Sequence, residues 1–257
     1  MKKLISILGS TGSIGLTSLE IIDKKKNYFR PYYFSANKNF KLICKQIIKY
    51  KPNYFIISDY KVFKRVQKKF IKNNKTQIIN NINFLKLKKK SDITITAIPG
   101  IEGLEPTIFG IKFSKKVLIA NKESIICGWN LIKKNQSKYK TTLIPIDSEH
   151  FSIFKLIQKI NYKNIDKVFI TASGGPFLNL SVNKFKKIKP KEALKHPKWS
   201  MGKKISIDSA TLMNKVLEVI EAQKLFNIPK EKIDILIHPQ SLVHALIKLK
   251  NGLTYFI

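Results

Sequence analysis

Two acids separated by a single position stand out in a chain with only 16 acidic residues against 49 basic ones. They are Asp147 and Glu149, in the run Pro145-Ile146-Asp147-Ser148-Glu149-His150 that closes a short apolar stretch. In extended chain both carboxylates point to one side, where they could hold a cation. Oxygen-only ligands suit Mg²⁺ or Mn²⁺ rather than Zn²⁺. The same residues fit a helix start equally well, with Asp147 or Ser148 as N-cap and Glu149 beside the positive end of the helix dipole. Farther along, Asn214 and Glu218 are i,i+4 and Lys215 and Glu218 are i,i+3, so the three share one helical face. Lys215 and Glu218 could serve a ligand or form an ordinary surface ion pair.

A second group is built from glycine. Gly9-Ser10-Thr11-Gly12-Ser13-Ile14-Gly15 follows the first apolar run and opens the first helical pattern. Gly9 permits a tight turn, Gly12 lets backbone approach a pyrophosphate, and Gly15 lets helix and strand pack closely. The helix N-terminus then offers N–H groups to an anion. The G-x-x-G-x-x-G spacing departs from the usual dinucleotide fingerprint, and a plain Gly-rich turn is the competing reading. An NAD site carries an acid after the second strand, for the ribose 2′-OH. This chain has Ser35-Ala36-Asn37-Lys38-Asn39 there. A lysine and two amides favour a 2′-phosphate and hence NADP(H), unless Lys38 is one more lysine of a lysine-rich chain.

Three further runs carry polar groups at strategic places. Asn121-Lys122-Glu123-Ser124 follows a buried strand, at the end that lines the ligand crevice of an open α/β sheet. Ser173-Gly174-Gly175-Pro176-Phe177 offers a nest of backbone N–H groups for an anion. His196-Pro197-Lys198-Trp199-Ser200-Met201-Gly202-Lys203 puts a Trp in a basic loop of the kind that closes over an active site. His150, His238 and His244 read as structural.

The elements that must position these groups can be sketched from hydrophobic patterning. Strands are expected at Leu4–Leu8, Tyr32–Ser35, Tyr54–Ile57, Ile93–Ile98, Val117–Ala120 and Thr142–Ile146. Helices are expected at Ile14–Lys24, Phe40–Tyr50 and Val62–Ile71. This β-α-β rhythm argues for a doubly wound parallel sheet. It breaks after residue 150, giving a helix at Phe151–Ile160, a strand at Val168–Thr171 and a long loop from Ser173 to about Lys204. A helix capped by Asp208 or Ser209 follows, running to Phe226, then a strand at Ile233–Ile237. A hairpin turns at Asn251-Gly252 between Val243–Lys250 and Leu253–Ile257. The expected fold class is α/β: a Rossmann-like domain over 1–146, then an α+β catalytic domain over 147–257. The last strand stops without a closing turn, so the chain is expected to be C-terminally incomplete.

Composition frames these readings. The chain has 257 residues, 44% of them hydrophobic, which excludes a disordered chain. The net charge of +33 suggests a polyanionic partner, but 47 of the 49 basic residues are lysine. Nucleic-acid readers need the planar arginine fork. Lysine is matched by 41 Ile against 8 Ala, as A/T-rich codon drift would produce. No nucleic-acid or membrane partner is therefore expected, and Lys24–Lys26, Lys68–Lys75 and Lys86–Lys90 read as solvated surface. Two cysteines form no disulfide framework and fit a reducing cytoplasm. The apolar start is too short for a signal peptide, and no run reaches the length of a membrane span.

Taken in order, these motifs, together with Asp208-Ser209-Ala210-Thr211-Leu212-Met213-Asn214-Lys215 and His238-Pro239-Gln240-Ser241, closely resemble the 1-deoxy-D-xylulose 5-phosphate reductoisomerase family. The resemblance covers nearly the whole chain, and the later motifs are its specific part. It implies an NADP-dependent oxidoreductase and isomerase of non-mevalonate isoprenoid synthesis. Such an enzyme converts 1-deoxy-D-xylulose 5-phosphate to 2-C-methyl-D-erythritol 4-phosphate with NADPH and Mg²⁺ or Mn²⁺, Co²⁺ being a further option. Carried over by motif, Thr11, Gly12, Ser13, Ile14, Asn37, Lys38, Asn39, Asn121, Glu123 and Gly202 would bind NADPH. Asp147, Glu149 and Glu218 would bind the metal and, with Lys122, form the catalytic set. Lys122, Ser148, Glu149, Ser173, His196, Ser209, Asn214, Lys215 and Glu218 would hold the sugar phosphate. The family continues past this point with a C-terminal helical domain, expected to be absent here, and a homodimer would need that region. The alternatives are an inactive truncated remnant of the enzyme and a basic nucleic-acid-binding protein.

Overall fold

A computed structural model describes residues 1–72, 75–194 and 203–257. The chain divides into two compact units, Met1–Pro145 and Ile146–Ile257. In the first, strands and helices alternate: β1 (Lys3–Leu8), α1 (Ser13–Lys24), β2 (Phe29–Ala36), α2 (Phe40–Tyr50), β3 (Tyr54–Ile57), α3 (Tyr60–Lys69), β4 (Gln77–Ile79), β5 (Ser91–Thr96), α4 (Leu104–Lys112), β6 (Ser114–Ile119), α5 (Lys122–Tyr139) and β7 (Thr142–Pro145). The seven strands form one parallel sheet in the order β4-β3-β2-β1-β5-β6-β7. A sheet covered on both faces buries consecutive residues of its central strands. Ile5, Ser6, Ile7 and Leu8 of β1 accordingly are all buried, as are Tyr33, Phe34 and Ser35 of β2. The strand order reverses at β1, which opens a crevice at the carboxyl ends of the strands.

The second unit contains α6 (Ser148–Ile157), β8 (Ile165–Ala172), α7 (Pro190–Ala193), α8 (Lys203–Ala210), α9 (Met213–Phe226), β9 (Ile233–Ile237), β10 (Ala245–Leu249) and β11 (Thr254–Phe256). Its sheet has the order β11-β10-β8-β9, with β8 and β9 parallel and the other pairs antiparallel. Ile153 and Leu156 of α6 and Ala222 of α9 pack with Ile165, Val168, Ile170, Ile233, Ala245 and Ile247. One core thus fixes the two helices that carry Asp147, Glu149 and Glu218.

The α/β class and most strands appear as the sequence predicts. Several elements differ. The helix expected from Ser209 to Phe226 is two helices broken at Thr211 and Leu212. Leu212 has φ +57°, a left-handed conformation that ends an α-helix. The Thr211 hydroxyl donates to the carbonyls of Ile207 and Asp208 at 3.2 Å, turned back on the α8 end. Asp208 and Ser209 therefore lie inside α8 and do not cap a helix. The helix expected at Val62–Ile71 starts at Tyr60, because the Asp59 side chain accepts from the Val62 N–H at 2.9 Å and caps it. The long loop after Ser173 contains a 3₁₀ segment at Val182–Lys187 and the short α7. Helices α4 and α5 are not expected from the pattern, which Gly110 and Gly128 interrupt. The lysines of the runs at 24–26 and 86–90 are exposed.

Candidate functional site

The first unit holds a cavity of about 550 Å³ at the carboxyl ends of its strands. It is lined by Gly9, Thr11 and Gly12 after β1, by Ser35, Ala36 and Asn37 of β2, and by Ala97, Ile98 and Pro99 after β5. Gly9 has φ +93°, and a Cβ there would stand 2.7 Å from the Ala97 carbonyl oxygen. A Cβ on Gly15 would stand 2.3 Å from the Gly9 carbonyl oxygen, so α1 reaches the loop only because Gly15 has no side chain. Gly12 is the N-cap of α1 and has no side chain to satisfy the first-turn N–H groups, which suits an anionic ligand. The loop is held from below: Ser10 Oγ donates to Gln46 Oε1 at 2.6 Å, and Gln46 Nε2 donates to the Ser10 carbonyl at 2.9 Å. Asn80, Asn81, Glu102 and Glu105 complete the cavity wall. Sequence reasoning missed these four: Asn80, Asn81 and Glu102 come from connections with no strand or α-helix pattern, and Glu105 sits in the first turn of α4, which the pattern did not show.

The second unit holds a cluster of acids. One carboxylate oxygen each from Asp147, Glu149 and Glu218 lies within 4.8 Å of the others. Asp147 is the N-cap of α6 by backbone position, without a side-chain cap bond, and Glu149 sits in its first turn, so the run opens a helix and still groups its two carboxylates. Glu218 comes from α9 and is 1% exposed. Lys215, 8% exposed, reaches both Glu149 and Glu218, the latter at 2.6 Å. A surface ion pair is thereby ruled out for Lys215 and Glu218. Asn214 Nδ2 donates to Glu218 Oε1, and the Ser148 hydroxyl donates to Glu149 Oε2 at 2.7 Å.

The electrostatics show a deficit of positive charge. Burial, followed by the Asp147 and Glu218 carboxylates, pushes the Glu149 carboxyl up to about 7, against the opposing pull of the Lys215 ammonium. Burial would lower the Lys215 amine, but Glu218 and Glu149 outweigh it and raise it. Three carboxylates converging in a shielded place, one of them driven towards protonation, fit a hard divalent cation with oxygen ligands.

Two family models match this chain. One described as 1-deoxy-D-xylulose 5-phosphate reductoisomerase matches residues 5–128, and one described as the C-terminal domain of that enzyme matches residues 143–226. A curated 1-deoxy-D-xylulose 5-phosphate reductoisomerase from Pelagibacter ubique is 51% identical over 258 aligned positions, covering 99% of this chain. The chain belongs to the 1-deoxy-D-xylulose 5-phosphate reductoisomerase family. The reductoisomerase of Clostridium novyi is 42% identical over 97% of the chain. In both cases the match spans 66% of the relative's length. Among solved structures, a reductoisomerase in complex with NADPH, fosmidomycin and magnesium aligns with a TM-score of 0.90 at 34% identity, over 99% of this chain and 65% of that one. The Zymomonas mobilis reductoisomerase in complex with NADPH aligns at 0.87 and 32% identity, over 100% of this chain and 66% of that one.

The remaining residues singled out by the reductoisomerase resemblance fall as follows. Thr11, Gly12 and Asn37 line the cavity, and Ser13 and Ile14 open α1. Lys38 is exposed, and Asn39 caps α2 by accepting from the Leu42 N–H at 3.1 Å. Asn121 is the N-cap of α5, ahead of Lys122 and Glu123. Its oxygen accepts from Ser124 N–H at 2.6 Å, and its amide nitrogen donates to the carbonyls of Ile98 and Gly100 at 2.5 and 2.9 Å. Asn121 thus ties the loop after β5 to α5. Ser173 follows β8. A Cβ on Gly175 would stand 2.8 Å from the Ser209 carbonyl oxygen, which brings the 173–177 loop against the end of α8. His196, Trp199 and Gly202 lie outside the described residues. His238 serves the backbone, its Nε2 accepting from Leu242 N–H at 3.0 Å.

Proposed function

We propose that this chain carries out the reductoisomerase reaction, turning 1-deoxy-D-xylulose 5-phosphate into 2-C-methyl-D-erythritol 4-phosphate. In this reading residues 1–146 bind NADPH, and residues 147–257 hold the divalent cation and the sugar phosphate. The observation that carries the reading is the convergence of Asp147, Glu149 and Glu218 around Lys215, in a family with a member solved in complex with NADPH, fosmidomycin and magnesium. The Gly9–Gly15 loop and its cavity support the cofactor half.

When bound, the cation supplies a Lewis acid for the ketone and its neighbouring hydroxyl, and NADPH supplies the hydride that reduces the rearranged aldehyde. Asp147, Glu149 and Glu218 hold the cation's charge in place while negative charge develops on the substrate oxygens. Ser148, Ser173, His196, Ser209, Asn214 and Lys215, with Lys122 of the first unit, are the groups we assign to the substrate hydroxyls and phosphate. Thr11, Gly12, Ser13 and Ile14 hold the pyrophosphate side of NADPH. Asn37, Lys38 and Asn39 hold its 2′-phosphate, and Asn121, Glu123 and Gly202 complete the contacts. The chemical work of these residues is orientation: it fixes the reacting carbons relative to cation and hydride donor.

The working assembly we propose, with the family's C-terminal region supplied, is a homodimer. Ile235, Leu236 and Ile237 of β9 and Phe256 of β11, exposed on the outer strands of the second sheet, support it. Cys44 and Cys127, both unbridged, support a cytoplasmic setting, and no helix among the described residues is long and apolar enough to cross a membrane. The test of function is NADPH oxidation on addition of the sugar phosphate. Turnover that requires Mg²⁺ or Mn²⁺ and yields 2-C-methyl-D-erythritol 4-phosphate is expected. NADPH and Mn²⁺ binding without turnover would overturn it in favour of a silent form of the enzyme.

A further inference from the structure

His150 is fully buried in the second unit and is not one of the groups assigned to a ligand. Its Nε2 lies 2.9 Å from the backbone carbonyl oxygen of Glu218. A carbonyl only accepts, so Nε2 carries the hydrogen. Its Nδ1 faces two carboxylates, Asp147 Oδ1 at 3.3 Å and Glu221 Oε2 at 3.5 Å, which only accept, so Nδ1 carries a hydrogen as well and the ring is an imidazolium. The Phe226 ring stacks on the imidazole, with centroids 6.4 Å apart and planes 20° from parallel. The side chain of Glu221 is 2% exposed, and burying such a group is costly unless it has a polar role. Asp147 heads α6 but makes no capping bond to the first turn; its carboxylate is turned to the imidazole instead.

One ring therefore joins the start of α6 to the α9 turn that carries Glu218. These are the two elements that supply the acids of the cation cluster. We propose that Glu221 and His150 act as a positioning pair, in which Glu221 fixes the imidazole and the imidazole fixes Asp147 and the Glu218 main chain in the pose that accepts a divalent cation. The proposal rests on the cation-site reading given above. It assigns separate tasks to two buried carboxylates one turn apart on α9: Glu218 faces the cation and Glu221 faces the histidine. If Asp147 turns its oxygens to the cation, Glu221 still holds Nδ1 and the ring keeps its orientation. Outer partners of this kind orient metal ligands, and their removal weakens metal binding by about 10–100-fold.

The test is Mn²⁺ binding to the intact chain by electron paramagnetic resonance, with NADPH binding and circular dichroism measured on the same samples. Glu221→Ala is expected to raise the Mn²⁺ Kd by about 10–100-fold with NADPH binding unchanged. Glu221→Gln keeps an acceptor for Nδ1–H and is expected to restore most of the affinity. Glu218→Gln serves as the reference and is expected to lose Mn²⁺ binding. Wild-type Mn²⁺ affinity in folded Glu221→Ala, beside a loss in Glu218→Gln, would overturn the positioning pair and leave the cation site standing. A lower melting temperature with unchanged Kd would do the same. Wild-type affinity in Glu218→Gln would overturn the cation site itself. If Glu221→Ala does not fold, His150→Gln decides, with unchanged Mn²⁺ affinity again overturning the pair.

Discussion

The groups that make the cavity of the first unit are mainly backbone and small side chains, Gly9, Thr11, Gly12, Ser35 and Asn37, with Glu102 and Glu105 at its wall. In the second unit they are long charged side chains, Asp147, Glu149, Glu218 and Lys215. The helices show the same contrast. Helix α1 buries Gly15, Leu19 and Ile22 and follows the ordinary amphipathic rule. Helix α9 buries Lys215, Glu218 and Glu221 while Met213 and Val216 stay half exposed. A site made of backbone tolerates ordinary side-chain packing around it. A site made of charges must spend a helix face on them, and each charge then depends on its neighbours for solvation. The first should break through geometry, the second through electrostatics.

The largest effect is expected from Lys215→Met. It leaves Glu149 and Glu218 buried without their shared ammonium, and breaking such a pair costs about 3–5 kcal/mol. The metal-free protein should melt far lower, and millimolar Mn²⁺ should recover part of the loss by binding the folded state. A variant that melts like wild type in chelator would remove the electrostatic half of the comparison. Next, Gly15→Ala places a Cβ 2.3 Å from the Gly9 carbonyl oxygen and should displace α1 from the loop. A rise in NADPH Kd of about tenfold is expected, which is about 1.4 kcal/mol, with Mn²⁺ binding untouched. Loss of Mn²⁺ binding in that variant would show that the two units do not break independently.

A subtler difference concerns pH. The Glu149 carboxyl sits near 7 without metal, chiefly through burial and then its acidic neighbours, and it must lose its proton to take a cation. Mn²⁺ affinity should therefore rise with pH up to about 7 and level off above it, while NADPH affinity changes less. Titrating both ligands from acid to neutral pH checks this, and a flat Mn²⁺ curve would count against it. The smallest effect is expected at Asp92, which accepts from Leu4 N–H at 2.8 Å and Lys115 Nζ at 2.7 Å. The Lys115 ammonium, against some burial, holds its carboxyl below the usual range. That contribution is present above the ordinary carboxylate range and fades as pH falls through it. Both groups are partly exposed, so Asp92→Asn should cost at most about 1 kcal/mol in a denaturant melt and leave both ligands alone.

The two regions also differ in how they could be read from sequence. Gly9 and Gly15 were legible because only glycine suits a positive φ or a 2.3 Å approach to backbone. Asp147, Glu149, Lys215 and Glu218 were legible as residue types on shared faces, but their convergence depends on the core that docks α6 and α9 on one sheet. Glu221 was missed although its spacing from Glu218 puts it on the same stripe, because hydrophobic periodicity treats a buried glutamate as a solvent-facing residue. The break at Leu212 was missed because a leucine at φ +57° has no local signal. Asn121 was read as a ligand residue; its cap on the Ser124 N–H is local, but its hydrogen bonds to Ile98 and Gly100 reach a loop distant in the chain and leave no local signal.

We propose that the buried acids of the second unit form one divalent-cation site. Counting Mn²⁺ bound per chain, in wild type and in Glu218→Gln, tests it most directly. One Mn²⁺ per wild-type chain and none at the same concentration in the variant is the expected result. Equal binding by the two proteins would contradict it.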